Sequence, residues 1–316
     1  ETSNPDFARA VQLGMTRIRR GSFLAQLAAA RRTIAIAGTS GKSSVTAMTA
    51  HILVAAGFDP SFLGGGAAAH LSGAMPPGAL RVGGSDWFVV ETDESDGSVA
   101  EFTPAVAVLT NLSRDHKEIA ETARNFEKLL AGTRERAVIH VSDPELQQVQ
   151  VPSSLDVLRV AMPGSTWATP DLRADRIELT PDAVRFEISG VPVRVPFPGA
   201  LTVENALMAC GAAVASGIHL ETAAPALATF GGVRRRLERI GAHTGVDVFD
   251  DFAHNPVKIR AALRALRPHG ALRVYYQPHG YGPTRFFAAE MTEAFREELR
   301  PGDRLYLAPI YDAGGK

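Results

Sequence analysis

The chain has 316 residues, 45% of them hydrophobic and 21% charged, which is typical of a globular protein large enough for two domains. Its 33 basic and 34 acidic residues leave a net charge of −1, so the composition does not predict a basic surface for nucleic acid. The sequence also lacks an apolar run long enough for a membrane span and the basic-then-apolar start of a secretory signal, so we expect neither a membrane partner nor export.

The first part of the chain alternates strand and helix patterns. Apolar runs predict strands at residues 31–37, 86–90, 105–110 and 137–141, and helical periodicity follows the first of them over residues 43–56. Continuous apolar strands that alternate with helices indicate a parallel sheet covered on both faces. Residues 171–198 instead alternate apolar and polar positions between turn signals, which predicts a small antiparallel appendage.

A second α/β series follows the PFPG segment at residues 196–199, which we interpret as a domain boundary. The chain's single cysteine, Cys210, lies in the apolar pattern of the first helix of this series, where a small core residue is expected. One cysteine cannot form an internal disulfide, which fits a reducing, cytoplasmic setting. The predicted elements of the series are helices over 200–216, 257–266 and 288–299 and strands over 246–249, 272–276 and 304–308.

The segment GTSGKSS, residues 38–44, connects the first predicted strand to a helix. In such a turn, backbone N–H groups and the helix amino terminus point at phosphate oxygens. Lys42 would reach the β- and γ-phosphates, and the Ser43 hydroxyl would bind Mg²⁺. The standard phosphate-loop pattern has a glycine where this chain has Ile36, so the segment is a shorter variant, and a solvated loop lysine is the alternative interpretation. The residues predicted to contact the nucleotide here are Gly38, Thr39, Ser40, Gly41, Lys42, Ser43 and Ser44.

Two further predicted strands end in polar groups. The second strand is followed by four carboxylates, those of Glu91, Asp93, Glu94 and Asp96. Oxygen ligands of this kind suit Mg²⁺, and the carboxyl ends of parallel strands are where α/β folds hold ligand groups. The third strand is followed by TNLSRDH, which contains His116. A solvated acidic loop and an exposed or structural histidine are the alternative interpretations of these two segments.

Together these segments resemble the Mur ligases, and most closely the subgroup that adds the first amino acid to UDP-N-acetylmuramic acid. The family motifs G-T-x-G-K-T-T, E-A-D-E-S-D-x-S and T-N-x-x-x-D-H are matched, in order, by GTSGKSS, ETDESDGS and TNLSRDH. In the second half, TVENA, GVRRRL, DDFAHNP and QPH are similar to N-x-x-N-A, G-x-x-R-R-F, D-D-Y-A-H-H-P and Q-P-H. Single motifs of this kind occur by chance, but their shared order over nearly the whole chain is specific.

The resemblance implies a three-domain, ATP-dependent ligase of peptidoglycan precursor synthesis. Such an enzyme forms an amide bond between a UDP-sugar carboxylate and an amino acid through an acyl phosphate. The expected fold is α/β, with a central P-loop ATPase-type parallel sheet domain and a C-terminal Rossmann-like α/β domain. Residues 1–24 would be the last helix and strand of the UDP-sugar domain, residues 25–197 the ATP-binding domain and residues 198–316 the amino-acid domain. Against this pattern we expect both ends of the chain to be truncated.

The resemblance also implies two cofactors, ATP and Mg²⁺, and a role for individual residues. Lys42 would contact the β- and γ-phosphates, and Arg236 would reach the phosphates across the cleft. Ser43 and Glu91 would bind one Mg²⁺, and His116 a second. The remaining nucleotide contacts would come from Asn205, Asp251 and His254.

Three departures from the family pattern bear on the substrates. Two arginines that follow Q-P-H in the family are replaced by Gly280 and Pro283, at a place where substrate carboxylates are expected. Arg285 remains as the candidate for a catalytic contact with a carboxylate, because arginine suits bidentate recognition of that group. The second histidine of H-H-P is Asn255, and the UDP-sugar domain is essentially absent. The amino acid, the carboxylate substrate and the oligomeric state therefore stay open.

Two other functions fit part of the pattern. A P-loop kinase or NTPase would share the GKS turn and the acidic strand end, but it does not explain the second α/β series with DDFAHNP. A non-catalytic, nucleotide-binding remnant would explain the missing sugar domain. ATP binding without amino-acid-dependent phosphate release would support the remnant.

Overall fold

The structure is a computed structural model that describes residues 4–68, 70–71, 74–75, 78–114 and 118–313. Within those ranges, none of the helices combines the length and the apolar character that crossing a membrane requires. The helices of the larger, first unit are α1 (Pro5–Gln12), α2 (Arg20–Ala29), α3 (Lys42–Ala55), α4 (Ile119–Gly132), α5 (Ala200–Ala215) and α6 (Leu220–Ala226).

A single twisted sheet organises this first unit, in the strand order β11-β10-β9-β8-β7-β6-β1-β5-β2-β4-β3. The strands from β2 to β9 along this order pair in parallel, and antiparallel strands lie at both ends. The predicted parallel sheet is therefore confirmed. The strand bounds are β1 (Arg32–Ala37), β2 (Ser61–Leu63), β3 (Ala74–Met75), β4 (Leu80–Arg81), β5 (Trp87–Glu91), β6 (Val106–Leu109), β7 (Arg136–His140), β8 (Asp156–Ala161), β9 (Leu172–Leu179), β10 (Val184–Ile188) and β11 (Val191–Val195).

Both faces of the sheet are buried, which is why its central strands carry apolar side chains at successive positions. Along β1, Ile34 and Ile36 belong to one core, and Ala35 and Ala37 belong to the other. Successive side chains of a strand point to opposite faces, so this division follows from strand geometry. Helices α3, α5 and α6 contribute to the first core, and α2 and α4 to the second.

Three observations bear on the boundaries predicted for this unit. The predicted antiparallel segment is present, since β10 pairs antiparallel with both β9 and β11, and β9 also joins the main sheet through its parallel pairing with β8 at Leu172 and Val160. Helix α5 begins just after the boundary predicted at residue 198, yet its buried side chains share a core with β1, so the boundary falls inside a packed unit. Residues 4–24 contain α1 and the start of α2 but no strand.

Cys210 lies on α5 and is fully buried, as predicted. Burial raises the pKa of its thiol to about 12, because the charged thiolate would lose its hydration in the apolar core. A thiol with so high a pKa is a poor nucleophile, so Cys210 is a packing residue.

The carboxyl-terminal unit is a smaller α/β structure with its own core. Strands β12 and β13 form an antiparallel pair, and β14 and β15 pair in parallel. Helices α7 and α9 pack together through apolar side chains that include Ile259, Leu263 and Phe295. The parallel β14–α9–β15 arrangement is the predicted Rossmann-like element. The bounds are β12 (Glu238–His243), β13 (Val246–Asp250), α7 (Pro256–Leu266), β14 (Arg273–Tyr276), α8 (Tyr281–Phe286), α9 (Ala288–Glu298) and β15 (Arg304–Leu307).

Candidate nucleotide site

The site lies where β1, β5 and β6 end. These strands are neighbours and parallel, with Ile36 opposite both Glu91 and Val108, so the segments that follow them meet at one edge of the sheet. The GTSGKSS turn follows β1, the acidic segment follows β5, and the TN segment follows β6. The strand order therefore brings together three motifs that are separate in the sequence.

The turn from β1 into α3 needs its glycines. Gly38 has φ 142° and Gly41 has φ 79°, values that side chains of L-residues rarely allow. A Cβ atom on Gly38 would stand 1.9 Å from the Thr110 hydroxyl, and one on Gly41 would stand 2.3 Å from Asn205 Oδ1. The backbone thus approaches its neighbours closely and enters α3 at Lys42, with the positive end of the helix at the turn.

Two residues at the end of β6 hold this turn. Asn111 Oδ1 accepts from the backbone N–H groups of Thr39 (3.2 Å) and Ser40 (2.8 Å). Asn111 Nδ2 and the Thr110 hydroxyl both donate to the Ser40 carbonyl, at 3.1 and 2.8 Å. Sequence reasoning did not count Thr110 and Asn111 as site residues. The signal that could have found them is the one used for Glu91, a polar group directly after an apolar strand.

Lys42 is paired with a buried carboxylate. Its Nζ atom lies 2.9 and 2.7 Å from the two carboxylate oxygens of Glu94 and also donates to the Gly38 carbonyl at 2.8 Å. The side chains of Lys42 and Glu94 are 15% and 7% exposed, so little water screens the pair. To contact phosphates as the resemblance implies, Lys42 must exchange this partner.

Glu91 and Ser43 form the oxygen-rich part of the site. The Ser43 hydroxyl donates to Glu91 Oε1 at 3.2 Å, and the Gly65 N–H donates to Glu91 Oε2 at 2.7 Å. Gly65, in the loop after β2, is another residue that sequence reasoning missed. Across the described ranges, no three His, Cys, Asp or Glu side chains cluster as metal ligands. The predicted ligand His116 lies outside the described residues.

The second unit closes the other side of the site. Arg236 Nη2 donates to the Ser43 hydroxyl at 3.4 Å, and Asp251 accepts from the Leu237 N–H at 2.8 Å. Burial raises the pKa of the Asp251 carboxyl, although the nearby Arg236 opposes this shift. The same cleft is lined by Ser44 at the start of α3 and by Asn205 on α5. Most of the predicted nucleotide contacts are therefore brought together.

Two predicted residues lie away from this cleft. His254 lines a neighbouring cavity of about 510 Å³, together with His279 and Tyr311, whose rings stack 5.2 Å apart. Its Nδ1 atom lies 3.0 Å from the Phe252 carbonyl. Arg285 is exposed on α8 and is not among the described residues that line either cavity.

The departures from the family pattern have local structural reasons. Asn255 is 4% exposed and caps α7, since its side chain accepts from the Lys258 N–H at 3.0 Å. Gly280 stands at the start of α8 with φ 81°, a conformation that favours glycine. Pro283 lies inside the first turn of the same helix, where its missing N–H costs nothing.

Comparison with known proteins places these features in a family context. The chain matches the model of the Mur ligase middle domain over residues 36–213 and that of the Mur ligase, glutamate ligase domain over residues 235–308. A UDP-N-acetylmuramate–L-alanine ligase of Mycolicibacterium vanbaalenii is 36% identical, over 98% of this chain and 67% of that protein. A UDP-N-acetylmuramate–L-alanine ligase of Rhizobium meliloti is 33% identical, over 98% of this chain and 68% of that protein.

Solved structures show the same fold. UDP-N-acetylmuramate-alanine ligase MurC from Thermotoga maritima has a TM-score of 0.78 at 21% identity, over 98% of this chain and 74% of that one. A murein peptide ligase from Psychrobacter arcticus has a TM-score of 0.71 at 21% identity, over 98% of this chain and 76% of that one.

Proposed function

The chain belongs to the Mur ligase family, and from this membership we propose that it is an ATP-dependent ligase of peptidoglycan precursor synthesis. The proposed reaction joins a carboxylate of the UDP-N-acetylmuramate type to an amino acid, and the names of the relatives make L-alanine the first amino acid to test. Neither a P-loop kinase nor a nucleotide-binding remnant is favoured by the relatives found.

One contact supports this proposal above the others. Arg236, from the second unit, lies 3.4 Å from the Ser43 hydroxyl at the start of α3. A cation on the second unit that reaches the phosphate loop of the first makes a closed site for a bound triphosphate. Closure of this kind holds two substrates together and excludes water, which a hydrolysable acyl phosphate intermediate requires.

The reaction proceeds in two steps. An oxygen of the substrate carboxylate attacks the γ-phosphorus of ATP, the bond to the β-phosphate oxygen breaks, and ADP leaves. The amine of the amino acid then attacks the acyl carbon, loses a proton, and expels phosphate. The first step brings an anion to a polyanion, so its transition state needs positive charge, which we assign to Lys42 and Arg236. We assign the nucleoside contacts to Asn205 and Asp251.

The residues present fit a Mg²⁺ ion. Ser43 and Glu91 offer a hydroxyl and a carboxylate oxygen 3.2 Å apart, and both are the hard oxygen donors that Mg²⁺ prefers. Mg²⁺ commonly binds through one or two protein oxygens together with water and substrate phosphates, so a small donor set suffices. We propose that Ser43 and Glu91 hold Mg²⁺ and that His116 holds a second ion. When bound, Mg²⁺ would neutralise phosphate charge.

The residues expected to bind the substrate carboxylate differ from the family pattern. Glycine has no side chain and proline has no N–H donor, so Gly280 and Pro283 cannot replace the family's two arginines. We propose that the substrate preference is relaxed or altered relative to L-alanine and UDP-N-acetylmuramate. The alternative is that Arg285 and backbone groups hold the carboxylate of the amino acid. Selective, efficient turnover with L-alanine would contradict an altered pair.

Phosphate release by the full-length protein tests the proposed function. ATP, UDP-N-acetylmuramate and single amino acids are supplied together and then with each one omitted. The proposal expects release only when the nucleotide, the carboxylate and an amino acid are all present. Release that needs neither carboxylate nor amino acid would indicate an NTPase, and ATP binding with no release under any combination would indicate a remnant. The variant Glu91→Ala should fold and bind ATP but release no phosphate.

A further inference from the structure

A small polar cavity adjoins the nucleotide cleft beside the phosphate loop and shares Ser40 and Asn205 with it. It measures about 20 Å³, and its walls include Ser40 of the loop, His140 at the end of β7, and Glu204 and Asn205 on α5. Two atoms of these walls, Ser40 Oγ and His140 Nε2, are buried without a hydrogen-bond partner among the described residues. Burying a polar atom unpaired is unfavourable, so two such atoms at one cavity call for a partner inside it.

His140 offers a hydrogen-bond acceptor to the cavity. His140 is only 6% exposed. Its Nδ1–H donates a hydrogen bond to the Thr110 carbonyl at 3.2 Å. Burial lowers the pKa of the imidazole, so the ring is neutral near pH 7. A neutral ring that donates through Nδ1 leaves Nε2 as an acceptor.

Glu204 is the ionisable group of the cavity wall. Burial, together with the negative charge of Asp143 in the loop after β7, raises the pKa of its carboxyl to about 7. The remaining described walls present hydroxyl, amide and apolar groups, and the ionisable groups facing Glu204 are therefore His140 and Asp143. Glu204 thus changes charge in the neutral range, next to the loop that would receive phosphates.

We propose that Glu204 and His140 are positioning residues that hold Ser40 of the phosphate loop through one water molecule in this cavity, and that the protonation state of Glu204 sets the affinity for nucleotide. The volume suffices for one water, which needs two to four polar partners. The water donates to His140 Nε2, accepts from the Ser40 hydroxyl, and bonds to Glu204 in either protonation state. Ser40 Oγ and His140 Nε2 then both have a hydrogen-bond partner.

The coupling to nucleotide follows from charge. This part rests on the proposed function, because it needs a polyanionic nucleotide at the loop. A neutral Glu204 leaves the back of the loop uncharged, whereas an ionised Glu204 places a negative charge near the phosphates and repels them. Nucleotide affinity therefore falls as pH rises through the Glu204 transition. By linkage, nucleotide binding to protein with an ionised Glu204 is accompanied by uptake of a proton.

Calorimetric titration of the chain with ADP from about pH 6 to about pH 8 tests the proposal. We compare the ADP affinity of the wild type with that of Glu204→Gln at each pH. From about pH 6 to about pH 8, the wild type should become about three- to tenfold weaker relative to the variant. Glu204→Gln is nearly isosteric, so the water site persists while the charge is removed. The comparison of two proteins at each pH cancels the ionisation of ADP itself. Glu221→Gln, a change on the exposed surface of α6, is the matched control and should follow the wild type.

A second variant gives a shift that a merely structural role would not produce. Asp143→Asn removes the charge that raises the Glu204 pKa but keeps an oxygen to cap the turn after β7, where Asp143 accepts from Glu145 and Leu146. The pH transition of ADP affinity should move to lower pH in this variant. Parallel profiles for wild type and Glu204→Gln, or an unmoved transition in Asp143→Asn, would overturn the inference. Absence of ADP binding by the wild type at every pH would instead overturn the proposed function.

Discussion

Arg236 Nη2 lies 3.4 Å from Ser43 Oγ, although the two residues are 193 positions apart in the chain. Ser43 lies in the first turn of α3 in the first unit, and Arg236 lies just before β12 of the second. This contact joins the two units at the place where we assign the phosphates, so it connects the fold directly to the proposed chemistry.

The contact predicts that Arg236→Ala lowers kcat/KM for ATP by about a hundredfold, because a donor aimed at developing charge is lost. Arg236→Lys should recover only part of this loss, since lysine keeps the charge but not the planar fork. Steady-state kinetics with varied ATP measures both. The control is Arg234→Ala, which removes a nearby arginine whose side chain is 67% exposed. Equal kinetics for the Arg236 and Arg234 variants would contradict the role of Arg236.

We expect loss of the buried Lys42–Glu94 pair to destabilise the protein, and bound ATP to reduce that destabilisation. Glu94→Gln leaves the Lys42 charge without its partner and should lower the free energy of unfolding by about 3 kcal/mol. Bound ATP supplies phosphate oxygens in place of Glu94, so the deficit should shrink when ATP is present. Thermal unfolding with and without ATP measures this, with Glu101→Gln as a nearby control. A deficit of the same size in both conditions would show that Lys42 does not exchange partners.

The loop after β2 predicts a specific glycine requirement. A Cβ on Gly65 would lie 2.8 Å from both carboxylate oxygens of Glu91, so Gly65→Ala must displace that carboxylate from Ser43. We expect kcat to fall by about a hundredfold, because a displacement near 1 Å is enough to disturb reacting groups. The control is Gly241→Ala, since a Cβ there meets no atom within 4 Å. An unchanged kcat in Gly65→Ala, with a fold that circular dichroism shows to be intact, would contradict the role of Glu91 in the site.

The contacts of Asp303 predict that acid lowers the stability of the second unit. It accepts from the N–H groups of Leu272 and Arg300 and pairs with Arg267, and these contacts lower the pKa of its carboxyl from 3.8 to about 2. Between those values the unfolded chain binds the proton more tightly, so stability from this group is present at neutral pH and is lost as pH falls from about 4 to about 2. Asp303→Asn should be less stable at neutral pH and lose less on acidification. Denaturant unfolding at a series of pH values checks this, and a wild-type slope in Asp303→Asn would contradict it.

The motifs that lie within one strand–loop–helix segment could be predicted from the sequence. The GTSGKSS turn and the carboxylate of Glu91 were found because local spacing alone places them at strand ends. Asn111 carries the same local signal as Glu91, a polar group directly after an apolar strand, but Gly65 does not. Its contact with Glu91 depends on β2 lying beside β5, and no local pattern states which strands become neighbours. The proximity of Arg236 to Ser43 was available only through the family resemblance.

The boundary predicted at residue 198 lies directly before a helix whose side chains share a core with β1. Helix α5 is apolar around most of its circumference, with buried residues that run from Thr202 to Ala213. A helix of that kind is expected inside a large core rather than at the start of a new, small unit. Between α1 and α2, residues 13–19 form no strand in the described structure.

The central claim is that the enzyme activates a substrate carboxylate as an acyl phosphate. Isotope transfer tests it most directly. The full-length protein is supplied with ATP, an amino acid and UDP-N-acetylmuramate whose carboxylate oxygens are labelled with heavy oxygen, and the released phosphate is analysed by mass spectrometry. Our account predicts that each phosphate released carries a single labelled oxygen from the carboxylate, because the carbon–oxygen bond breaks in the second step. Released phosphate without the label would show that water rather than the carboxylate attacks ATP, and would contradict the account.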